Sequence, residues 1–356
     1  MNYFIAAFIS IFVFTQTKAQ VGIGTTTPYS ASALHVEIGT SQTNGLLVTG
    51  VYNASATVPN LGTSSRLMFY PGKGAIRAGL VSGTGWDNIN VGSLSVAMGN
   101  NTIARGTSST ALGDGSQANG QSSVAIGATA YATADYSTAL GASVTASGIL
   151  STALGHQVNT NNQRGAFIIG DSNPLNSFIT NSGFPDEFVA RFNNGYYFMT
   201  SGNIERFGVQ IGHYGNSWVS ICDKSRKENF EELDGEDVLQ KISKINFTSW
   251  NYKMQDPKIY RHYGIMAQDF YQAFGHDKFG SIGNDTTVNP IDMIGIDMTA
   301  IKALDKRTEN LKGENLRLQQ SVTELEIAFN EQKKLSDIQQ NKIDKIESQM
   351  KKLLKK

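Results

Sequence analysis

The sequence predicts a mainly β chain of short stacked strands, followed by an α+β region that ends in a long helix made for partner helices. Three observations carry this. A five-residue block recurs at a fixed step of 14. The stretch that holds it, residues 91–160, has Arg105, Asp114 and Asp135 as its only Lys, Arg, Asp or Glu residues. From Ile301 onward the composition turns to Lys, Glu, Gln and Leu, with apolar residues in heptads.

The chain opens MNYFIAAFISIFVFTQTKAQ. Residues 4–14 form an apolar run too short to span a bilayer. Small or polar residues follow, with Thr17 and Ala19 placed for signal-peptidase cleavage, so residues 1–19 are expected to be a secretory signal peptide, although no Lys or Arg precedes the run. No other stretch has the length and apolarity of a transmembrane helix, so no membrane span is expected in the mature chain. Residues 20–90 follow as a β-rich region. Their start, VGIGTTTPYSASALHV (21–36), has alternating apolar residues and a Thr-Pro turn, and resembles the opening of many secreted or tail-fibre-like bacterial proteins.

The repeat comes next, over residues 91–163. The blocks are SVAMG, STALG, SVAIG, STALG and STALG, closing on Gly99, Gly113, Gly127, Gly141 and Gly155. Ala104, Ala118, Ala132 and Ala146 keep the same step between them. Within SVAIG, Val124 and Ile126 face one way, while Ser123, Ala125 and Gly127 face the other, which is strand periodicity. Five in-step blocks separated by Gly, Ser, Asn and Ala turns fit a solenoid with one or two strands per coil. The face of tiny residues lets another backbone approach closely. The glycines of GDGSQANG (113–120) do not make a phosphate loop, because no Lys-Ser/Thr pair follows them. The repeat resembles the head repeats of trimeric autotransporter adhesins. That resemblance implies a left-handed β-roll stalk packed as a homotrimer. A β-rich neck, 164–221, follows.

At the other end, heptads run unbroken from Ile301. The a positions are Ile301, Thr308, Asn315, Val322, Phe329, Ser336, Ile343 and Met350, and the d positions are Leu304, Leu311, Leu318, Leu325, Gln332, Gln339, Ile346 and Leu353. Eleven of these 16 sites are apolar, against about six expected at the chain's 40% hydrophobic content. Such a helix is marginal alone, so residues 296–356 are expected to form a coiled coil. The stripe by itself leaves dimer and trimer open. Gln332, Ser336 and Gln339 form a polar middle of the kind that sets register and strand number.

Between stalk and helix stands SICDKSRKENF (220–230), which holds Cys222, the chain's one cysteine, among Lys224, Arg226 and Lys227. One cysteine excludes an internal disulfide framework. CDKSRKENF is similar to the entry motif of the endosialidase-type intramolecular chaperone, a self-cleaving module at the C-terminus of phage tail spikes and related secreted proteins. That motif begins Ser-Asp, with Lys five residues after the Ser and Asn two later; here Asp223, Lys227 and Asn229 match. RHYGIMAQDF (261–270) matches the family's Gly-x-x-Ala-Gln core at Gly264 and Gln268, and the stretch from Asp297 through Ala300 and Ile301 matches the entry to its helix.

The resemblance implies a chaperone and auto-processing domain over 222–295. It implies at most a single-turnover self-cleaving peptidase acting in cis, a Ser-Lys-type dyad with Cys222 in place of Ser and Lys227 as base. The cut would fall between Ile221 and Cys222. His262 and Gln268 lie in the second motif, where they would orient the site or serve structure. A free lysine titrates near about 10.4, so a lysine that acts as base at neutral pH needs burial or cationic neighbours. Sulfur is the better nucleophile but larger than oxygen. A retained domain, with Cys222 as a small packed hydrophobe and the C-terminal module as a trimer clamp, is therefore the alternative. Ser220 and Ser225 lack the five-residue spacing to a lysine.

With 30 basic and 30 acidic residues the net charge is zero, which gives no case for nucleic acid as a partner. His35, His156, His213, His262 and His276 are scattered, so neither a metal site nor another cofactor is expected. The expected partner is the chain itself, with a surface receptor or glycan beyond it unidentified by sequence.

Overall fold

The structure, a computed structural model, describes residues 20–39, 45–172, 178–201 and 207–354. The expected signal peptide, 1–19, lies outside the described residues. The chain divides into two compact units, and the division falls between Ile221 and Cys222.

The N-terminal unit is a β solenoid, as the 14-residue step predicts. Each coil of the repeat carries a long strand and a short one. Val96–Asn100, Thr110–Asp114, Val124–Ala128, Thr138–Ala142 and Thr152–His156 stack in parallel as part of a nine-stranded sheet. Ile103–Ala104, Gln117–Ala118, Tyr131–Ala132 and Thr145–Ala146 stack as part of a six-stranded one. Equivalent residues lie over one another: Ala111 pairs with Ala125, Leu112 with Ile126, Gly113 with Gly127.

The coil interior explains the tiny residues. Ser95 and Ala97, Ser109 and Ala111, Ser123 and Ala125, Ser137 and Ala139, Ser151 and Ala153 are wholly buried, and so are Ala104, Ala118, Ala132 and Ala146 from the short strands. The backbone that the small face admits is thus the other wall of the same coil, not a second chain. The serines that open the blocks find partners within their own turn: Ser109, Ser123 and Ser151 Oγ donate to the carbonyls of Gly106, Gly120 and Gly148 at 2.7 Å. That removes the cost of burying them unpaired. The block-closing glycines are required twice over. Gly127 has φ +132°, and a Cβ there would stand 1.9 Å from the carbonyl oxygen of Gly141. The corners also hold side chains at positive φ, at Leu94, Ser108, Ser122, Tyr136 and Leu150. These are fixed from the coil before, as where Ser122 N–H donates to Thr107 O and Tyr136 N–H to Gln121 O, both at 2.8 Å.

The ladder outruns the repeat on both sides. Ala75–Val81 pairs in parallel with Val96–Asn100, and Phe167–Gly170 and Phe188–Arg191 extend the far end. The step is 20 from Gly79 to Gly99, 15 from Gly155 to Gly170, and 21 from Gly170 to Arg191. Register is kept while the connecting loops change length.

An arginine stands at each end of the parallel stack; beyond the first, Ser64–Tyr70 adds antiparallel to Ala75–Val81. Arg77 pairs with Ala97, so it heads the alanine column. It is wholly buried and donates to Ser95 O at 3.1 Å, Ser95 Oγ at 2.9 Å and Ala104 O at 2.9 Å. Burial pushes its pKa down to about 10, which leaves it charged at neutral pH. At the far end Arg191 donates to His156 O at 2.9 Å, Asp171 O at 2.8 Å and Thr180 Oγ1 at 3.0 Å, and pairs with the Asp171 carboxylate at 3.3 Å. Beyond it, Tyr196–Met199, Gly208–Ile211 and Val219–Ser220 form an antiparallel sheet.

The C-terminal unit is small α/β structure on a long helix. Helix α1 spans Gly235–Ile242, α2 spans Ala267–Phe274 and α3 spans Pro290–Leu353. Asp234 and Asn289 cap α1 and α3 through side-chain oxygens that accept the backbone N–H of Glu236 and Ile291 at 2.9 Å, and Pro290 opens α3 with its fixed φ. Val238, Phe270, Phe274 and Ala300 make the core, joined by Leu239, Ile242, Met293 and Ile296. Arg307 of α3 forks onto the Glu236 carboxylate of α1. Past that point the helix is exposed along all its described residues, with Leu311, Leu318 and Leu325 58–69% exposed. At about 1.5 Å per residue its 64 residues run roughly 96 Å. No helix among the described residues is long and apolar enough to cross a membrane.

The role of Arg77 is testable. Arg77→Met fills much of the same space but removes the guanidinium's bonds to Ser95 Oγ and to the Ser95 and Ala104 carbonyls, which keep the Ile76 and Gly92 amides as partners, so each lost charged bond costs roughly 1.5–3 kcal/mol at most. Thermal unfolding followed by circular dichroism is expected to show a melting temperature several degrees lower, with Arg77→Lys recovering only part. An unchanged midpoint in Arg77→Met would show that the end of the coil does not need those bonds.

Candidate active site

The site begins at the first residue of the C-terminal unit. Asp223 ends the extended chain and caps a single 3-10 turn, Lys224–Arg226. Its Oδ1 accepts from Ser225 N–H and from Ser225 Oγ, both at 2.9 Å. The turn closes with Arg226 N–H donating to Asp223 O and Lys227 N–H to Lys224 O, each at 3.1 Å. This tight turn accounts for the five-residue spacing. It folds the chain back so that Lys227 Nζ donates to Cys222 Sγ at 2.9 Å. The two residues expected to form a dyad are thus brought together by local structure alone.

Asn229 follows at φ +56°, a conformation its short polar side chain tolerates, and turns the chain toward Phe230. Lys224 lies over the Phe230 ring, 5.8 Å from its centre, so this cation is engaged away from the dyad. The hydrogen bonds from Ser225, backbone first and hydroxyl second, hold the Asp223 carboxyl below the usual carboxylate range, and the Arg226 charge adds to this. Cys222 is free and exposed, so within the single chain it is not a packed hydrophobe. Ser225 spends its hydroxyl on Asp223, and Ser220 ends a strand in the other unit.

The second motif lies on other elements. His262–Gly264 pairs antiparallel with Thr248–Trp250, which places His262 opposite Trp250 and Gly264 opposite Thr248. Gln268 is the second residue of α2. The His262 ring sits 4.7 Å from that of Trp250 and 5.6 Å from that of Tyr252. His262 Nε2 and Trp250 Nε1 are both buried without a hydrogen-bond partner among the described residues. No hydrogen bond or ring contact among the described residues joins His262, Gly264 or Gln268 to the Cys222–Lys227 pair. Motif reasoning missed Trp250 and Tyr252. Their signal is the alternation of aromatic and polar residues in Phe247-Thr248-Ser249-Trp250-Asn251-Tyr252. No group of three or more His, Cys, Asp or Glu side chains among the described residues is placed to hold a metal ion.

The capped turn carries a pH signature. Because the folded Asp223 pKa is depressed, the stability it contributes is fully present above the ordinary carboxylate pKa of about 3.9 and is lost as the pH falls through the lower folded value. The Ser225 amide signal in an NMR titration is expected to move with that lowered midpoint. Asp223→Asn, which still offers an acceptor oxygen, should abolish the titration and keep the turn. A Ser225 amide that titrates at the ordinary value would show the cap to be absent in solution.

Comparison with known families follows the same division of the chain. Residues 91–116 and 118–143 match two copies of the YadA head domain repeat. Residues 222–277 match the family described as chaperone of endosialidase. No curated protein matches the chain. The matches thus divide between the two units, the YadA head repeat model matching within the first and the chaperone of endosialidase model beginning at Cys222, the first residue of the second.

Proposed function

We propose that the protein is a secreted, homotrimeric fibre or adhesin-like protein whose C-terminal unit acts as an intramolecular trimerisation chaperone and then cleaves itself off between Ile221 and Cys222. The observation that carries this reading is the 2.9 Å contact of Lys227 Nζ with Cys222 Sγ, on the first residue after the division between the two units. A cut there parts two bodies that each hold their own core.

The chemistry is intramolecular acyl transfer. Lys227, as a neutral amine, takes the proton of the Cys222 thiol while Sγ adds to the Ile221 carbonyl carbon. The C–N bond breaks as that proton passes to the α-nitrogen of Cys222, which leaves the acyl group on sulfur. Water then adds to the thioester, giving a carboxylate at Ile221 and the free thiol and amine of Cys222. The released piece is residues 222–356, 135 residues. Loss of the chaperone makes assembly irreversible, so the remaining fibre is stabilised kinetically.

Trimerisation is supported by apolar surface that one chain cannot cover. Met98, Leu112, Ile126, Leu140, Leu154 and Ile169 stack in register on the outer face of the long-strand ladder. The helix seam from Ile301 to Leu353 is exposed at every apolar a and d site. Burying one such Leu or Ile is worth about 1.5–3 kcal/mol. The YadA head match favours three copies over two. Secretion rests on the apolar run at residues 4–14.

Two measurements test the proposal. Denaturing gels and intact mass of purified wild-type protein are expected to show a split product beginning at Cys222, absent in Cys222→Ala and Lys227→Ala. A full-length band alone in the wild type would make the C-terminal unit a retained clamp. Light scattering on Lys227→Ala, which keeps the helix attached, is expected to give three times the single-chain mass, falling toward one chain in Lys227→Ala with Leu311→Asp and Leu318→Asp added. A folded single chain before those two changes would overturn the trimer.

A further inference from the structure

Resting on the self-cleavage reading, we infer that Trp218 is a positioning residue for the cut. It seats the strand ahead of Ile221, so that the Ile221 carbonyl is held for Cys222 Sγ only once the end of the N-terminal unit has folded. The turn at Lys224–Arg226 brings nucleophile and base together, and both stand on its own side of the scissile bond. The electrophile does not belong to that turn. Ile221 is the last residue of the N-terminal unit, and the strand just before it is what ties it down.

That strand, Val219–Ser220, is an edge of the three-stranded neck sheet, with Val219 opposite Gln210 and Ser220 opposite Val209. So short a ladder is a weak hold, and the ring before it adds to it. Trp218 packs on Phe198 of the first neck strand, with ring centroids 5.4 Å apart. It lines one apolar cavity with Ile169 and Phe188, which belong to the last two strands of the solenoid. The first neck strand is tied to the same place, since Tyr196 Oη donates to Ala190 O. Contacts therefore run without a break from the solenoid end, through Phe198 and Trp218, to the strand that carries the attacked carbonyl. The scissile peptide is bounded by two anchors, the seated strand and the capped turn. Loosening either one widens the torsions open to Ile221 and Cys222, and thins the near-attack geometry that acyl transfer needs. The cut thus waits for the neck, which keeps the chaperone attached until that end of the unit is built.

The test follows the full chain made by cell-free synthesis. Pulse-labelled protein is sampled over time, the assembled fraction is separated on native gels, and split product is measured within that fraction. Trp218→Ala is expected to cut about 10- to 100-fold more slowly than wild type. Trp218→Phe, which keeps a ring against Phe198, should recover most of the rate. Phe198→Leu, a milder change on the other side of the contact, should slow the cut even where Trp218→Ala fails to assemble. The pH midpoint of the rate, set by Cys222 and Lys227, should stay the same in all three. Arg77→Met loosens the other end of the same unit and is expected to cut at the wild-type rate. Wild-type cutting by assembled Trp218→Ala or Phe198→Leu would overturn the inference and leave self-cleavage standing. So would a shifted pH midpoint, or slowing of equal size in Arg77→Met, which would make Trp218 a matter of general stability. No split product from the wild type would bring down both.

Discussion

Residue-over-residue stacking of successive coils is the constraint from which the N-terminal unit follows. When each coil sits directly on the last, the columns through the repeat favour like residues. The inner columns of the long strands hold alanine and serine through the repeat, and Val144, Val158 and Ile168 fill the coil interior toward its far end. The corner column must be glycine, since any Cβ would meet the next carbonyl. Most bulky apolar side chains of the repeat strands go to the outer face, where Met98, Leu112, Ile126, Leu140 and Leu154 line up as a half-exposed ridge. Interior economy and exterior stickiness are thus one property. A coil too thin to bury its own leucines has to bury them against a copy.

The C-terminal unit solves the opposite problem. Its core is small, built from two eight-residue helices against the first turns of α3, and most of α3 lies outside it. Local devices carry much of the order here: caps at Asp223, Asp234 and Asn289, and the Arg307–Glu236 fork. The Cys222–Lys227 contact is one of these local devices, since five residues of chain suffice to form it. It needs neither the far motif nor a second chain to bring the thiol and the amine together.

How much of this was legible in the sequence depends on how local each feature is. The repeat, the coiled-coil stripe and the Cys222–Lys227 spacing are periodic or short-range, and each appears in the structure at the residues that announce it. The same reading saw that the small face admits another backbone but not that this is the other wall of the same coil, because alternation tells which residues share a face and not which face is inside. It stopped the solenoid at residue 163, where the spacing changes, although the ladder runs on through Phe188–Arg191. Arg77 and Arg191 gave no signal at all, since a buried arginine is recognised only by the carbonyls around it. Trp250 and His262 are opposed across a hairpin, a relation that sequence distance hides.

The two end arginines have a consequence for how such chains diversify. Beyond Arg77 the ladder takes one antiparallel strand, Ser64–Tyr70, and beyond Arg191 it takes none among the described residues, so the two arginines mark the limits of the parallel stack. Between those limits the unit is a ruler graduated in whole repeats. Inserting or deleting one 14-residue segment would lengthen or shorten it by about 4.8 Å, one strand spacing, without disturbing either terminus or the register of any column. Gene duplication can therefore tune the reach of the molecule in fixed increments.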